Sequence, residues 1–192
     1  MNKKFFLVVG AESTGTHLAT NLLIQAGIKR GTRLHDDIKI EDIEERDFPI
    51  VYRRSFPHER KWFDIKLTLK PLFEKKLITE SDVLVFVCIR NWHCTIKSQI
   101  IRTHVDNEEA ALQNIKRAYR DIFRQIENVD YEIFSYDEMV NNPYDSINSF
   151  YENLKRYGVY AAYECARNIT NENKKYYRKG YIYTLRNIET IK

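Results

Sequence analysis

The sequence predicts a three-layer α/β fold in which helices cover both faces of a central, mostly parallel sheet. Two apolar runs, FFLVV at residues 5–9 and SDVLVFVCIR at 81–90, are typical of strands buried on both faces. Segments with helical periodicity follow both runs, and strands that alternate with helices favour a parallel sheet. A chain of 192 residues, 43% hydrophobic and 30% charged, fits one globular domain. We expect this domain to span 1–192, with a core at about 5–157 and a helical or irregular extension at 158–192.

The first half of the chain predicts two strands joined by one clear helix. FFLVV forms the first strand, and the segment THLATNLLIQAG after it places apolar residues on one helical face. Gly27 stands just beyond that face, where a left-handed residue commonly ends a helix. Residues 28–47 are polar and predict a loop. FPIVYRRS at 48–55 predicts the second strand.

The second half continues the alternation of strands and helices. A helical pattern at about 59–78 leads to the apolar strand at 81–90, and Asn142-Pro143 places a proline at the first position of another helix. The last 35 residues are rich in Tyr, Asn and Lys and show no clear pattern. The remaining predicted elements are helices at 92–104, 108–128 and 143–157, and a strand at 131–136.

Charge and cysteine content exclude several classes of protein. The net charge of +4 suits an anionic ligand, although small basic domains often bind none. Three cysteines without a C-x-x-C spacing support neither a zinc site nor a disulfide framework. The apolar start of the chain is too short for a signal peptide, and no later run approaches a membrane span. We therefore expect a cytoplasmic protein without a membrane partner.

The loop after the first strand has the composition of a phosphate-binding loop. Gly10 and Gly15 permit a turn that directs successive N–H groups at an anion, and the helix from Thr16 adds its positive end. The hydroxyls of Ser13 and Thr14 are further candidate donors. The alternative is a plain glycine turn whose hydroxyls cap the helix.

The same loop lacks the Lys and following Ser/Thr that complete a Walker A sequence, because Thr16 and His17 stand there. Walker lysine and its magnesium ligand serve ATP chemistry. Their absence argues against a kinase and favours a metal-free site for a single phosphate.

A second constellation follows the strand at 81–90. Arg90 ends this strand, and Ser98 lies two helical turns further on, within reach of an anion that Arg90 would clamp. The alternative is a structural arginine that pairs with a carboxylate.

Together these features resemble the sulfotransferases that use 3′-phosphoadenosine 5′-phosphosulfate (PAPS). The matching segments are ESTGTHL at 12–18, IRNWHCTIKS at 89–98 and YEIFSYDEMVNNP at 131–143. The resemblance implies a P-loop NTPase-like fold, PAPS as donor, no metal, the first loop at the 5′-phosphosulfate, and Arg90 with Ser98 at the 3′-phosphate. The cofactor-binding residues it implies are Gly10, Ser13, Thr14, Gly15, Thr16, His17, Arg90 and Ser98, with Arg178 added from the R-K-G at 178–180.

The resemblance departs from the family pattern at Ser13, where such enzymes carry Lys or Arg. Either the backbone N–H groups and hydroxyls of the loop suffice, or a replacement cation comes from His17, Arg53 or Arg54. Beyond Arg178, the Gly and Trp that normally follow R-K-G are absent, so a chance match competes with this assignment.

Candidates for the general base are His58 and Glu12, and His17 is a further catalytic candidate as a source of the missing cation. His58 follows the second strand, and imidazole titrates near neutrality; the alternative is a surface histidine behind Pro57. Glu12 lies in the loop itself, and its alternative role is to pair with an arginine. We also expect His58, with Arg53 and Arg54, to contact the acceptor, although the two arginines equally fit a solvated edge.

Three functions remain open from the sequence. The first is sulfuryl transfer from PAPS to a hydroxyl or amine of a small-molecule or carbohydrate acceptor. The second is a divergent P-loop kinase that uses ATP and magnesium. The third is a non-catalytic nucleotide- or nucleic-acid-binding protein, which the basic, Tyr-rich C-terminal third would suit; a nucleic-acid partner is disfavoured because no known binding module is present.

Overall fold

The computed structural model describes residues 3–31, 40–57, 61–161 and 169–176. Five parallel strands form one sheet in the order β2-β3-β1-β4-β5. The predicted α/β class, a parallel sheet flanked by helices as in P-loop NTPases, is confirmed. The strands are β1 (Phe5–Ala11), β2 (Lys29–Arg30), β3 (Ile50–Phe56), β4 (Val83–Ile89) and β5 (Asp130–Ser135).

In the part of the chain that the structure describes, six α-helices and four short 3-10 turns connect and cover the strands. The helix from Pro143 starts as the proline predicts, and Gly27 adopts φ 91° after the first helix, also as predicted. The α-helices are α1 (Thr16–Gln25), α2 (Ile65–Glu74), α3 (Trp92–Ile101), α4 (Glu108–Gln125), α5 (Tyr136–Asn141) and α6 (Pro143–Lys155). The 3-10 turns are Ile40–Asp42, Glu45–Asp47, Glu80–Asp82 and Glu172–Lys175.

Two hydrophobic layers cover the two faces of the sheet. Every residue of β1 is buried, and its alternate side chains enter opposite layers because successive strand residues point to opposite faces. Leu7 and Val9 pack towards α2 and α4, whereas Phe6 and Val8 pack towards α1 and α6. Burial on both faces explains why this strand is apolar throughout.

The structure corrects three details of the predicted elements. Residues 28–47 are not only loop, because Lys29–Arg30 pair with β3 as a short, exposed edge strand. α2 begins at Ile65, later than the predicted helical pattern at about 59–78. The Asp64 side chain accepts a hydrogen bond from the Leu67 N–H and caps the helix there. The sequence predicts a strand at 131–136 and no helix directly after it, whereas the structure has the short helix α5 after β5. Within the described ranges, no helix is long and apolar enough to cross a membrane.

The strand order brings three loops to one edge of the sheet. β1 lies between β3 and β4, with Gly10 opposite Ser55 on one side and Cys88 on the other. The carboxyl ends of these strands therefore adjoin, and the residues after Ala11, Phe56 and Ile89 surround a common region. Open parallel sheets bind ligands at this edge.

Candidate functional site

The loop between β1 and α1 is a tight turn that exposes backbone N–H groups. Thr14 folds back on Ala11 through its N–H (3.2 Å) and its hydroxyl (2.7 Å), both directed at the Ala11 carbonyl. Ser13 and Gly15 adopt left-handed φ values of 70° and 95°. Gly15 is the N-cap residue of α1 and, without a side chain, leaves the first-turn N–H groups uncapped. Such a turn is suited to an anion.

The two glycines of the loop serve different purposes. Gly15 needs its left-handed backbone, and a Cβ there would also meet the Tyr136 ring at 2.4 Å. Gly10 does not need unusual dihedral angles, which corrects the sequence-based expectation, since it is a regular residue of β1. It is required for space: a Cβ on Gly10 would lie 2.4 Å from the Thr14 hydroxyl and 2.8 Å from the Cys88 carbonyl.

Arg90 joins the end of β4 to this loop. Its Nη1 donates to the Ser13 carbonyl (2.9 Å) and its Nε donates to Asn173 Oδ1 (2.7 Å). The guanidinium lies 4.6 Å and 5.3 Å from the ring centroids of Tyr136 and Tyr176. Arg90 is only 8% exposed, so these contacts fix its position.

A buried polar network links Arg90 to Asp137 through Asn173. Asn173 Nδ2 donates to Asp137 Oδ1 (2.5 Å), and the Asn91 N–H donates to Asp137 Oδ2 (2.6 Å). Burial raises the pKa of Asp137 above its ordinary value, and the hydrogen bonds from Asn91 and Asn173 oppose that shift. The alternative role weighed for Arg90, a direct pair with a carboxylate, is replaced here by a link through Asn173.

Four buried polar atoms near the loop have no hydrogen-bond partner within the described part of the chain. They are Ser13 Oγ, Arg90 Nη2, Ser98 Oγ and Gln99 Oε1. The other amide atom of Gln99, Nε2, donates to the Glu12 carbonyl (2.9 Å), so α3 also contacts the loop. Each such atom costs about 1–3 kcal/mol when it stays unpaired. Three of the four can donate a hydrogen bond, which is what an anionic ligand accepts.

Of the three candidate cations, Arg53 and His17 lie near each other, and Arg54 lies on the opposite face of the sheet. Arg53 and Arg54 are neighbours on β3 and point to opposite faces. Arg53 lies near His17: partial burial, then the charges of Arg53 and Arg30, lower the pKa of His17. Arg54 lies on the other face, with its guanidinium 5.9 Å from the Phe63 ring centroid. The His17 side chain is exposed at the start of α1, with Nδ1 3.0 Å from Asn21 Nδ2.

A cavity of about 450 Å³ opens beside the loop, on the face of the sheet that α4 covers. The Glu12 side chain is mostly buried, and its Oε2 lies 3.5 Å from His104 Nδ1. Burial, and then the positive charge of Arg102, lower the pKa of His104, so this contact joins a neutral ring to the carboxylate. The cavity is lined by residues that include Glu12, Pro57, Trp62, Arg102, His104 and Asn114.

Two predicted site residues, His58 and Arg178, lie outside the described residues. Conversely, the sequence interpretation missed residues that shape the site. Asp137 lies in the segment 131–143, but nothing in the sequence marks Asp137, Asn173 or His104 as a site residue, because their partners are far away along the chain. Groups of three or more His, Cys, Asp or Glu side chains placed to hold a metal are absent from the described ranges. The missed residues around the loop are Gln99, His104, Tyr136, Asp137, Asn173 and Tyr176.

No family model matches this chain, and no curated protein matches it at a significant level. Solved structures do match. The sulfotransferase domain from the curacin biosynthetic pathway aligns with a TM-score of 0.54 and 10% identity over 86% of this chain and 76% of that one. The mouse sulfotransferase SULT7A1, solved in complex with PAP, aligns with a TM-score of 0.51 and 15% identity over 83% of this chain. The chain spans 59% of that enzyme's length. The protein therefore has a sulfotransferase-like fold.

Proposed function

We propose that the protein is a sulfotransferase that transfers a sulfuryl group from PAPS to a hydroxyl or amine of a small-molecule or carbohydrate acceptor. The observation that carries this proposal is the set of buried donors that have no hydrogen-bond partner among the described residues: Ser13 Oγ, Arg90 Nη2 and Ser98 Oγ. They come from the ends of two adjacent strands and from α3. A nucleotide with phosphates at both its 3′ and 5′ positions needs two anion sites of this kind, whereas a nucleoside triphosphate needs one continuous site.

The loop after β1 would hold the 5′-phosphosulfate. Its left-handed residues, Ser13 and Gly15, and the uncapped first turn of α1 present N–H groups to one region. The Thr14 hydroxyl is used internally, because it donates to the Ala11 carbonyl. Backbone groups therefore carry most of the binding at this position.

Arg90 and Ser98 would hold the 3′-phosphate. Arg90 Nη1 donates to the Ser13 carbonyl and Nε donates to Asn173. Nη2 is therefore the nitrogen that would donate to a ligand. Arg90 is thereby pre-positioned and loses little freedom when an anion binds. Ser98 is fully buried, and its hydroxyl has no other role among the described residues.

Arg53 is the best-placed substitute for the basic residue that Ser13 replaces. It lies near His17 and on the α1 face of the sheet, beside the loop. In the transfer, the acceptor oxygen or nitrogen forms a bond to sulfur, while the bond from sulfur to the 5′-phosphate oxygen breaks. Negative charge develops on that leaving oxygen, and a nearby guanidinium with the loop N–H groups stabilises it.

Calorimetric titration with adenosine 3′,5′-bisphosphate (PAP), ADP and ATP, in EDTA and then in magnesium, tests the proposal. We expect PAP to bind in EDTA more tightly than either other nucleotide. Ser98→Ala should weaken PAP binding about tenfold, the effect of one hydrogen bond of about 1.4 kcal/mol to a charged group. The matched control is Ser149→Ala on the exposed surface of α6, which should bind PAP as the wild type does. Binding of ATP alone, and only with magnesium, would instead support a kinase.

A further inference from the structure

Besides Glu12, four separate chain segments line the cavity. Pro57 follows β3, Trp62 precedes α2, Asn114 belongs to α4, and Arg102, Thr103 and His104 follow α3. Glu12 directly precedes Ser13, so the cavity adjoins the loop assigned to the phosphosulfate. Its volume of about 450 Å³ lies in the range of small-molecule sites.

The turn that ends α3 aims His104 back at the loop. The His104 N–H donates to the Gln99 carbonyl (2.9 Å), and the Thr103 N–H donates to the Ile100 carbonyl (2.9 Å). Thr103 adopts a left-handed φ of 57°, which is unfavourable for a β-branched residue. Strained backbone of this kind concentrates at functional sites. Gln99 also holds the Glu12 carbonyl, so one residue fixes both members of the pair.

The protonation state suits proton transfer. Because its pKa is lowered, His104 is neutral near pH 7. In the tautomer with its proton on Nδ1, which lies 3.5 Å from Glu12 Oε2, Nε2 keeps a free lone pair. A carboxylate that orients an imidazole in this way stabilises the charge that the ring gains as a base. Among the described residues, the other charged groups around the cavity include Arg102 and Arg117, whose guanidinium is stacked 3.8 Å from the Trp62 ring centroid and which pairs with Asp121.

We infer that this cavity receives the acceptor, that His104 is the catalytic base, and that Glu12 is its positioning residue. The inference rests on the proposed sulfotransferase function. The acceptor hydroxyl attacks sulfur, its proton passes to His104 Nε2, and the leaving phosphate oxygen departs with the S–O electron pair. His104 then releases the proton to water.

The walls of the cavity indicate the class of acceptor. Arg102, Thr103 and Asn114 offer hydrogen-bonding side chains, and Trp62 supplies an aromatic surface. Several hydrogen-bonding groups beside one aromatic ring suit a polyhydroxylated ring compound better than an apolar phenol or sterol. We therefore assign the cavity to a sugar-type acceptor.

The experiment measures PAP release from PAPS by the full chain, without an acceptor and with three probes: glucose, glucosamine and p-nitrophenol. PAP binding is measured separately by calorimetry. We expect a sugar probe to accelerate PAP release more than p-nitrophenol does. His104→Gln should lower kcat at least about 100-fold, the low end for loss of a general base. Its KM for PAPS and its affinity for PAP should not change.

The pH profile separates a base from a structural histidine. In the wild type, kcat/KM should fall as the pH drops through a midpoint below 6.5, the ordinary histidine value. This acid limb should vanish in His104→Gln and persist in His93→Gln, which removes a histidine from the other end of α3. Glu12→Gln should lower kcat about tenfold and move the limb to lower pH, because the carboxylate no longer stabilises the imidazolium.

The outcomes distinguish the two proposals. Failure to bind PAP would overturn the proposed function and this inference with it. PAP binding with unchanged turnover and pH profile in His104→Gln would overturn the base assignment and leave the sulfotransferase function standing. Loss of PAP affinity in His104→Gln would show a structural role for His104. Acceleration by p-nitrophenol alone would overturn the sugar-type assignment.

Discussion

The two anion sites that we propose are built in opposite ways. The loop after β1 consists of backbone groups shaped by two residues with positive φ, Ser13 and Gly15, within one short segment. The Arg90 site consists of side chains, and the Asn173 that positions Arg90 lies 83 residues away. A backbone site depends on a few backbone angles and on space, whereas a side-chain site depends on every member of its network. Four substitutions test this difference, from the largest expected effect to the smallest.

Gly15→Ala should be the most damaging change at the backbone site. The left-handed φ is unfavourable for alanine, and its Cβ would lie 2.4 Å from the Tyr136 ring. Together these two effects should lower the free energy of unfolding by about 2–4 kcal/mol. Gly27→Ala is the matched control, because Gly27 has φ 91° and nothing within 4 Å of its Cβ position. It should lose only about 1 kcal/mol. Urea unfolding measures both; equal losses would show that contact with Tyr136 is unimportant.

Asn173→Ala tests the side-chain network. It removes the partner of Arg90 Nε and one partner of the buried Asp137 carboxylate, which should cost about 2 kcal/mol near pH 7 and weaken PAP binding about tenfold. Asn153→Ala, at an exposed position of α6, should change stability by only a few tenths of a kcal/mol.

The stability cost of Asn173→Ala should depend on pH. The folded pKa of Asp137 is already raised, and loss of a hydrogen bond to its ionised form raises it further. A group with a raised folded pKa takes up protons on folding, so its ionisation costs stability as the pH rises through the shifted range. The difference from wild type should therefore shrink in urea titrations as the pH is lowered from about 7 towards the ordinary aspartate pKa. A constant difference would mean that loss of the Asn173 hydrogen bond does not change the pKa of Asp137.

Arg53→Gln tests the cation beside the backbone site. Since the positive charge of Arg53 lowers the pKa of His17, its removal should raise that pKa, which NMR titration of the His17 ring would follow. Arg54→Gln should leave the His17 pKa in place, because Arg54 points to the other face of the sheet. The same Arg53 variant should lower the rate of PAP release about tenfold through poorer stabilisation of the leaving oxygen. A His17 pKa that responds to both arginines alike would contradict this arrangement.

Ser98→Ala should have the smallest effect on the ligand-free protein, and one of opposite sign. It removes a buried hydroxyl that has no partner among the described residues and places a better helix former in α3. We expect a gain of about 0.5–1 kcal/mol, seen as a rise in Tm, together with the weaker PAP binding described above. A fall in Tm would mean that Ser98 stabilises the fold and would weaken its assignment to the ligand.

The individual strands, helices and loop motifs of this protein could be predicted from its sequence. Strands such as β1 and β4 are apolar throughout because both faces are covered, and local patterns placed the loop at 10–16 and the arginine at the end of β4. The left-handed φ of Gly15 and the start of α6 at Pro143 are also local features. These features depend on neighbours within a few residues, which is why periodicity and motif spacing found them.

Tertiary structure alone decided how these parts meet. It placed Arg53 near His17, Asn173 beside Arg90, and His104 beside Glu12. It also explains why residue 10 is glycine: a Cβ there would clash with the Thr14 side chain, and no unusual backbone angle is required. Contacts of this kind join residues that are far apart in the chain, so no local pattern encodes them; they follow from strand order and from the packing of side chains at one edge of the sheet.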